Sequence, residues 1–156
     1  MIQSMQTFPP EILRATSADA VELKAVAVAS KAHWGYPADW MARWANWITL
    51  SPDFLEKFEV YKLVEAGEIL GWCALLLHED HAHLEDLWVR PDRIGTGLGR
   101  VLFDFAANRA RAGGATHLDL DADPNAVSFY QHMGMVITGE RKAEMDRTIP
   151  TMVLSL

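Results

Sequence analysis

The sequence predicts an α/β (α+β) fold: a mixed, mostly antiparallel sheet of about seven strands flanked by helices, in one domain over residues 1–156. Three observations lead there. Apolar residues from Phe58 to Val89 fall into strand-like runs separated by tight turns, as in an antiparallel meander. Helical spacing of apolar residues occurs both before and after that region. The order of elements is strand, helices, three strands, helix, strand, helix and two strands, which is not an uninterrupted βαβ series.

Each element has a local reason. Ile12 to Ala15 reads as a short strand. Ser17 caps a helix running to Ala32, with Asp19 and Glu22 near its positive end. Tyr36-Pro37 ends it, because the residue before proline avoids helical angles. A second helix spans Ala38 to Ile48, and Ser51-Pro52-Asp53 supplies the cap and first-turn proline of a short third. Phe58 to Glu65 alternates as a strand up to the turn Ala66-Gly67-Glu68. Ile69 to His78 and Leu84 to Val89 complete the meander. Leu98, Val101, Leu102, Phe105 and Ala106 then mark a helix, with Arg109 and Arg111 in its last turn and Gly113-Gly114 as its stop. Thr116 to Ala122 is a strand, Asn125 to Met133 a short helix ended by Gly134, and Met135 to Thr138 and Pro150 to Leu156 are closing strands.

Composition narrows the function. Fourteen Lys and Arg against 21 Asp and Glu give a net charge of −7. That argues against a general binder of nucleic-acid backbones and fits a soluble protein that attracts cations. Cys73 is the one cysteine, so neither an intrachain disulfide nor a multi-cysteine metal cage is available. Met1 to Ala20 lacks the basic start and apolar run of a signal peptide. No apolar stretch of about 18 residues occurs, so no membrane partner is expected. A cytoplasmic setting is the expectation.

The most informative stretch runs from Leu84 to Arg100. A strand leads into a proline turn, and Gly95, Gly97 and Gly99 then open an amphipathic helix. Such glycines let a ligand approach backbone N–H groups closely, and a helix start attracts anions, with a pyrophosphate as natural guest. The spacing is Gly-x-Gly-x-Gly, not the Gly-x-Gly-x-x-Gly of dinucleotide folds. No Gly-Lys-Ser/Thr follows, which excludes a nucleotide-hydrolase loop.

These residues resemble the GNAT superfamily of acetyl-CoA-dependent N-acetyltransferases. The family pattern Arg/Gln-x-x-Gly-x-Gly/Ala, just past a strand ending Leu-x-Val-x-Pro, is matched by Leu87-Trp88-Val89-Arg90-Pro91 and Gly97-Leu98-Gly99. Ile94 stands in the Arg/Gln position, with Arg93 one residue earlier. A second pattern is approximated by Asn125-Ala-Val-Ser-Phe-Tyr-Gln-His-Met-Gly-Met135, where Met135 replaces the usual Phe. The run His83 to Val89 is similar to the corresponding strand of diamine and related small-amine acetyltransferases. The resemblance covers Thr16 to Leu156 and is strongest from Leu84 to Met135.

The resemblance implies a GNAT-like sheet, acetyl-CoA as co-substrate, no metal, and direct transfer in a ternary complex to a primary amine of a small molecule. The closing strands and the tryptophan-rich region, with the same resemblance, make a homodimer an expectation. Cofactor contacts are expected from Leu87, Trp88 and Val89, from Ile94, Gly95, Thr96, Gly97, Leu98, Gly99 and Arg100, and from Asn125 and Phe129. Tyr130 is expected beside the sulfur as proton donor, a role that suits a phenol protonated at neutral pH. A CoA-binding module of the same fold without turnover is the alternative.

Amine acylation needs a base as well as an acid. Glu85 is the candidate base, acting through a water, and a regular strand would point Asp86 to the opposite face. Asp86, Trp34 and Tyr36 are the substrate-side candidates. Trp40, Trp44 and Trp47 repeat at helical spacing and read as a buried helix face, or else as an aromatic wall over an amine pocket. Asp119, Asp121 and Asp123 read as a solvated strand face. His81 and His83 share a strand face, but the run His78 to His83 reads as a hairpin turn, so no metal site is assigned. Asn125 serves equally as a helix cap. Cys73 reads as a small core residue.

Overall fold

A computed structural model describes residues 9–156. The start of the chain, read above as lacking a signal peptide, lies in part outside the described residues. β1 (Glu11–Arg14), α1 (Ala20–Ala32), α2 (Ala38–Trp47) and α3 (Pro52–Lys57) come first. The meander β2 (Glu59–Glu65), β3 (Glu68–Leu77) and β4 (His81–Val89) follows. The chain continues through α4 (Leu98–Ala112), β5 (His117–Asp121), α5 (Val127–His132), β6 (Val136–Lys142) and β7 (Thr148–Ser155). The strands form one seven-stranded sheet in the order β1-β2-β3-β4-β5-β7-β6. Every pairing is antiparallel except β4 with β5.

The two faces of the sheet carry separate apolar clusters. Leu102, Phe103 and Ala106 of α4 pack on one face with Leu75, Leu84, Leu118 and Met152. On the other face Leu23, Val26 and Ala27 of α1 pack against Val60, Ile69 and Trp72. Because β3 lies between them, it is apolar nearly throughout, and seven consecutive residues from Ile69 to Leu75 are buried. Trp72 Nε1 donates to the Leu23 carbonyl at 2.8 Å, tying α1 to the sheet. No helix among the described residues is long and apolar enough to cross a membrane.

Several boundaries differ from the sequence reading, each for a reason of pairing or capping. The cap before α1 is not Ser17. A 3₁₀ turn over Ser17–Asp19 intervenes, and the Asp19 carboxylate accepts from the Thr16 amide at 2.9 Å. Ser51 does cap α3, accepting from the Phe54 amide at 3.1 Å. β2 is buried on both faces, Val60 in the cluster under α1 and Leu63 in the cluster under α4, and its register against β3 shifts after Leu63. β4 begins at His81 and not at Leu84, because His81 to His83 pair in parallel with His117 to Asp119. β6 runs on to Lys142, held by β7 although its second half is polar. α2 buries no residue, so the tryptophan spacing does not mark a buried face: Trp44 is half-buried and Trp47 is 51% exposed.

Candidate active site

The site lies where the sheet opens. β4 and β5 pair for only three residues and then part. Along β4 a bulge sets in at the same level: Ala74 pairs with Asp86 and Leu75 with Leu84, so Glu85 is the extra residue. A bulge re-aims the side chains that follow it. The expectation that Glu85 and Asp86 face opposite ways therefore fails, and both line the opening. Two cavities meet there, one of about 520 Å³ toward the glycine loop and one of about 560 Å³ toward α2 and α3. They share Glu85, Asp86, Trp88, Asp121 and Asp123 as a common wall.

The glycine loop forms the far end of the first cavity. Gly95 and Gly97 have φ of +82° and +89°, a left-handed region costly for other residues. A Cβ at either would meet nothing within 4 Å, and both glycines line the open cavity. Gly97 is the N-cap of α4. The amides of Leu98, Gly99 and Arg100 follow it in the first turn, where no carbonyl one turn earlier can receive them. A cradle of free amides at the start of a 15-residue helix fits a pyrophosphate. Gly99 has a different reason: a Cβ there would lie 3.2 Å from the Phe129 ring, so its absence lets α5 close against α4.

Tyr130 projects from α5 into the same cavity. It is buried, and its hydroxyl has no hydrogen-bond partner among the described residues. Burial first, then the nearby charges of Asp86 and Asp123, push its pKa upward, so the phenol keeps its proton. The two carboxylates of β4 are tuned apart. Glu85 bonds His83 Nε2 at 3.1 Å, and that bond, with the charges of His83, Arg141 and Lys57, holds it below the usual range. His83 also bonds Asp119 through Nδ1. Its bonds to Glu85 and Asp119 outweigh burial and raise it to about 9, so it is charged at neutral pH. Asp86 has no such partner. Burial, reinforced by the charge on Glu85, pushes its carboxyl up to about 7, against the pull of Trp88 Nε1, which donates to it at 2.9 Å.

A polar hub underlies the second cavity. Asp123 accepts from the Tyr36 hydroxyl at 2.7 Å and pairs with Lys31 Nζ at 3.4 Å and with Arg147 at 3.8 Å. Burial would raise its pKa, but the Tyr36 and Asn125 hydrogen bonds and the Lys31 charge pull it below the ordinary value. Lys31 is itself buried, with its ammonium 4.8 Å from the Trp44 ring centroid, 5.1 Å from Tyr36 and 5.9 Å from Trp88. Four segments distant in sequence thus lock together: the end of α1, the loop before α2, the turn after β5 and the loop before β7.

The structure sorts the residues singled out by sequence. Leu87, Trp88, Val89, Ile94, Gly95, Gly97, Gly99, Arg100, Asn125, Phe129 and Tyr130 line the glycine-loop cavity. Thr96 and Leu98 do not. The Thr96 hydroxyl turns back to the Arg93 carbonyl, and the Leu98 side chain is in the core. Arg93 pairs with Glu65 at 3.1 Å. Trp34 lines the glycine-loop side rather than the acceptor side. Tyr36 lines neither large cavity, because its hydroxyl serves Asp123. Asn125 donates to Tyr36 and to Asp123, both at 3.0 Å. Asp119, Asp121 and Asp123 are half-buried and paired, not a solvated face. Asp121 bonds Arg141 at 2.9 Å. Lys31 and Arg147 are not singled out by the sequence, because their common partner Asp123 is remote in the chain, and His83 is weighed there only as a metal ligand, not as the partner of Glu85 and Asp119. Cys73 is buried, and burial lifts its thiol to about 12, as suits a core residue. Among the described residues no three His, Cys, Asp or Glu side chains converge to hold a metal ion.

Similar proteins bring this geometry together. A streptothricin acetyltransferase from Streptomyces lavendulae is 36% identical over an alignment of 78 positions that covers 47% of this chain and 41% of that protein. The matched stretch is therefore only about two fifths of that relative's length. A GCN5-related N-acetyltransferase from Rhodopseudomonas palustris shares 25% identity, with a TM-score of 0.80 over 99% of this chain and 100% of that one. The PaiA N-acetyltransferase of Thermoplasma acidophilum, solved with coenzyme A, shares the fold at 17% identity and a TM-score of 0.77, over 96% of this chain and 100% of that one. Residues 20–135, from the start of α1 past Tyr130, match the acetyltransferase (GNAT) family, and the chain belongs to that family.

Proposed function

We propose that the chain moves an acetyl group from acetyl-CoA to a primary amine of a small molecule, by direct attack in a ternary complex. The observation that carries this reading is the meeting of two cavities at Asp86. One offers an anion cradle and an unpartnered Tyr130 hydroxyl, and the other is open to an acceptor. Gly95, Gly97, Gly99 and Arg100 would hold the pyrophosphate end of the cofactor, and Leu87 to Val89 its arm. When bound, acetyl-CoA supplies an acetyl thioester with a thiolate as leaving group. The name of the streptothricin acetyltransferase relative supports a small-molecule acceptor.

Asp86, not Glu85, best fits the base. A base must be ionised yet basic enough to accept a proton near neutral pH. Asp86 at about 7 meets both conditions. Glu85 is committed to His83 and held low. In this mechanism an Asp86 carboxylate oxygen takes one proton from the acceptor ammonium. The neutral amine attacks, and the Tyr130 hydroxyl donates its proton to the departing sulfur. Tyr130 regains a proton from the acylated nitrogen, so one amide, one thiol and one released proton balance the reaction.

The test is a panel of primary amines scored for CoA thiol release, with the acetylated product identified by mass spectrometry. Release with product on nitrogen is the expected result. Tight CoA binding without turnover on any amine would instead favour a CoA-binding module.

A further inference from the structure

The charges lining the acceptor cavity are almost all spoken for by the chain itself. Its carboxylates are Glu85, Asp86, Asp121, Asp123 and Glu144. Asp121 is paired with Arg141 at 2.9 Å and Glu144 with Arg147 at 2.8 Å. Asp123 has Lys31 and Arg147. Glu85 has His83 at 3.1 Å, which is charged at neutral pH. Asp86 alone among them has no cationic partner among the described residues, only the Trp88 indole N–H. The aromatic box of Tyr36, Trp44 and Trp88, the other feature that attracts an ammonium, already holds Lys31. On the α2–α3 side the lining includes the apolar side chains of Trp44, Ile48, Phe54 and Phe58, with Thr49 and Ser51 between them. Among the described residues, the one lining Lys or Arg without an acidic partner is Lys57, which would repel a further cation.

Resting on the acetyltransferase reading, we propose that the acceptor cavity takes a monoamine, with its single ammonium at Asp86 and an apolar body against the α2–α3 wall. Polyamines are disfavoured because a second ammonium finds no free anion and meets Lys57. Moving a charge from water to such a wall without a partner is unfavourable.

The experiment uses the full chain with saturating acetyl-CoA and compares n-pentylamine with cadaverine, which differ by one terminal amine. The expected kcat/KM favours n-pentylamine by about tenfold or more, in the range a single pocket contact provides. Arg141→Gln uncovers Asp121 and should narrow that ratio by about fivefold or more, since a second anion becomes available. Equal or faster turnover of cadaverine by the unmodified chain would overturn the proposal while leaving the acetyltransferase reading intact. An unchanged ratio in Arg141→Gln would refute the charge-pairing argument. Thiol release with neither amine, nor with any other primary amine, would remove the acetyltransferase reading and this inference with it.

Discussion

Asp86→Asn separates the two consequences of burying a carboxyl at the junction of the cavities. Asp86 is raised from its ordinary 3.8 to about 7. The unfolded chain has the ordinary value, so between these two pH values the folded protein binds more protons than the unfolded one. Stability then falls as pH rises through that window and levels off above about pH 7. The full shift corresponds to about 4 kcal/mol, and water in the open cavity brings the expected range to about 2–4 kcal/mol. Asparagine keeps an acceptor for Trp88 Nε1 but carries no charge. At pH 8 the variant should therefore be more stable than the parent by about that amount, and at pH 4 the two should be nearly equal. Activity should move the other way, falling about 10²–10⁴-fold, with the acidic limb of kcat/KM near pH 7 gone. The assays are chemical denaturation at both pH values and a kcat/KM–pH profile. A variant less stable than the parent at pH 8 would refute the burial argument. An acidic limb that survives in Asp86→Asn but shifts in Glu85→Gln would return the base to Glu85.

Further expectations follow from the same geometry. Gly97→Val places a side chain in open space at a φ of +89°. It should cost about 1–2 kcal/mol of stability and weaken CoA binding about tenfold or more by calorimetry; normal affinity would make the loop merely structural. Tyr130→Phe removes a hydroxyl with no partner among the described residues, so melting temperature and CoA affinity should hold while kcat falls about 10²–10⁴-fold. His83, raised from 6.5 to about 9, stabilises the fold fully below pH 6.5 and loses that contribution as pH rises through 9. His83→Gln should abolish this alkaline loss in denaturation curves, and an identical curve would refute the pairing. Finally, β6 is an outer strand with all seven residues exposed, Val136 and Ile137 among them. Pairing of two copies there would give a homodimer in light scattering, and a monomer at high concentration would exclude it.

Local signals carried the fold. The glycine loop, the proline before it and the spacing of Leu98, Val101, Leu102, Phe105 and Ala106 are short-range features, and each places its element. Long-range features were not legible. The bulge at Glu85 depends on how β4 registers against β3, and no residue near it marks an extra position. The acidic residues of β5 alternate as a solvated face would. They and Asp123 just beyond are instead half-buried, because β4, β6 and the loop before β7 bring His83 to Asp119, Arg141 to Asp121 and Arg147 to Asp123. Trp40, Trp44 and Trp47 repeat as a buried face would, yet only Trp44 packs onto the core, against Trp88, and α2 walls a cavity with no residue fully buried.

The same bulge explains why sequence pointed to the wrong member of an adjacent pair. On a regular strand only one of Glu85 and Asp86 can face the opening, and Glu85 is then as good a choice as any. The extra residue lets both face it, so the question becomes which neighbour each finds. Glu85 meets an imidazolium two residues back and is fixed as an anion. Asp86 lands beside the Trp88 indole, deeper in the opening and nearer the charge-raising influence of Glu85. The backbone of Trp88 in turn lies close over Gly71, where a Cβ would lie 2.6 Å from the Trp88 carbonyl oxygen and 3.1 Å from Leu102 Cδ1. A side chain at Gly71 would push apart β3, β4 and α4 at the residue that hydrogen-bonds Asp86. The glycine inside an otherwise apolar strand is thus as much a part of the site's geometry as the three in the loop, although it touches neither cavity.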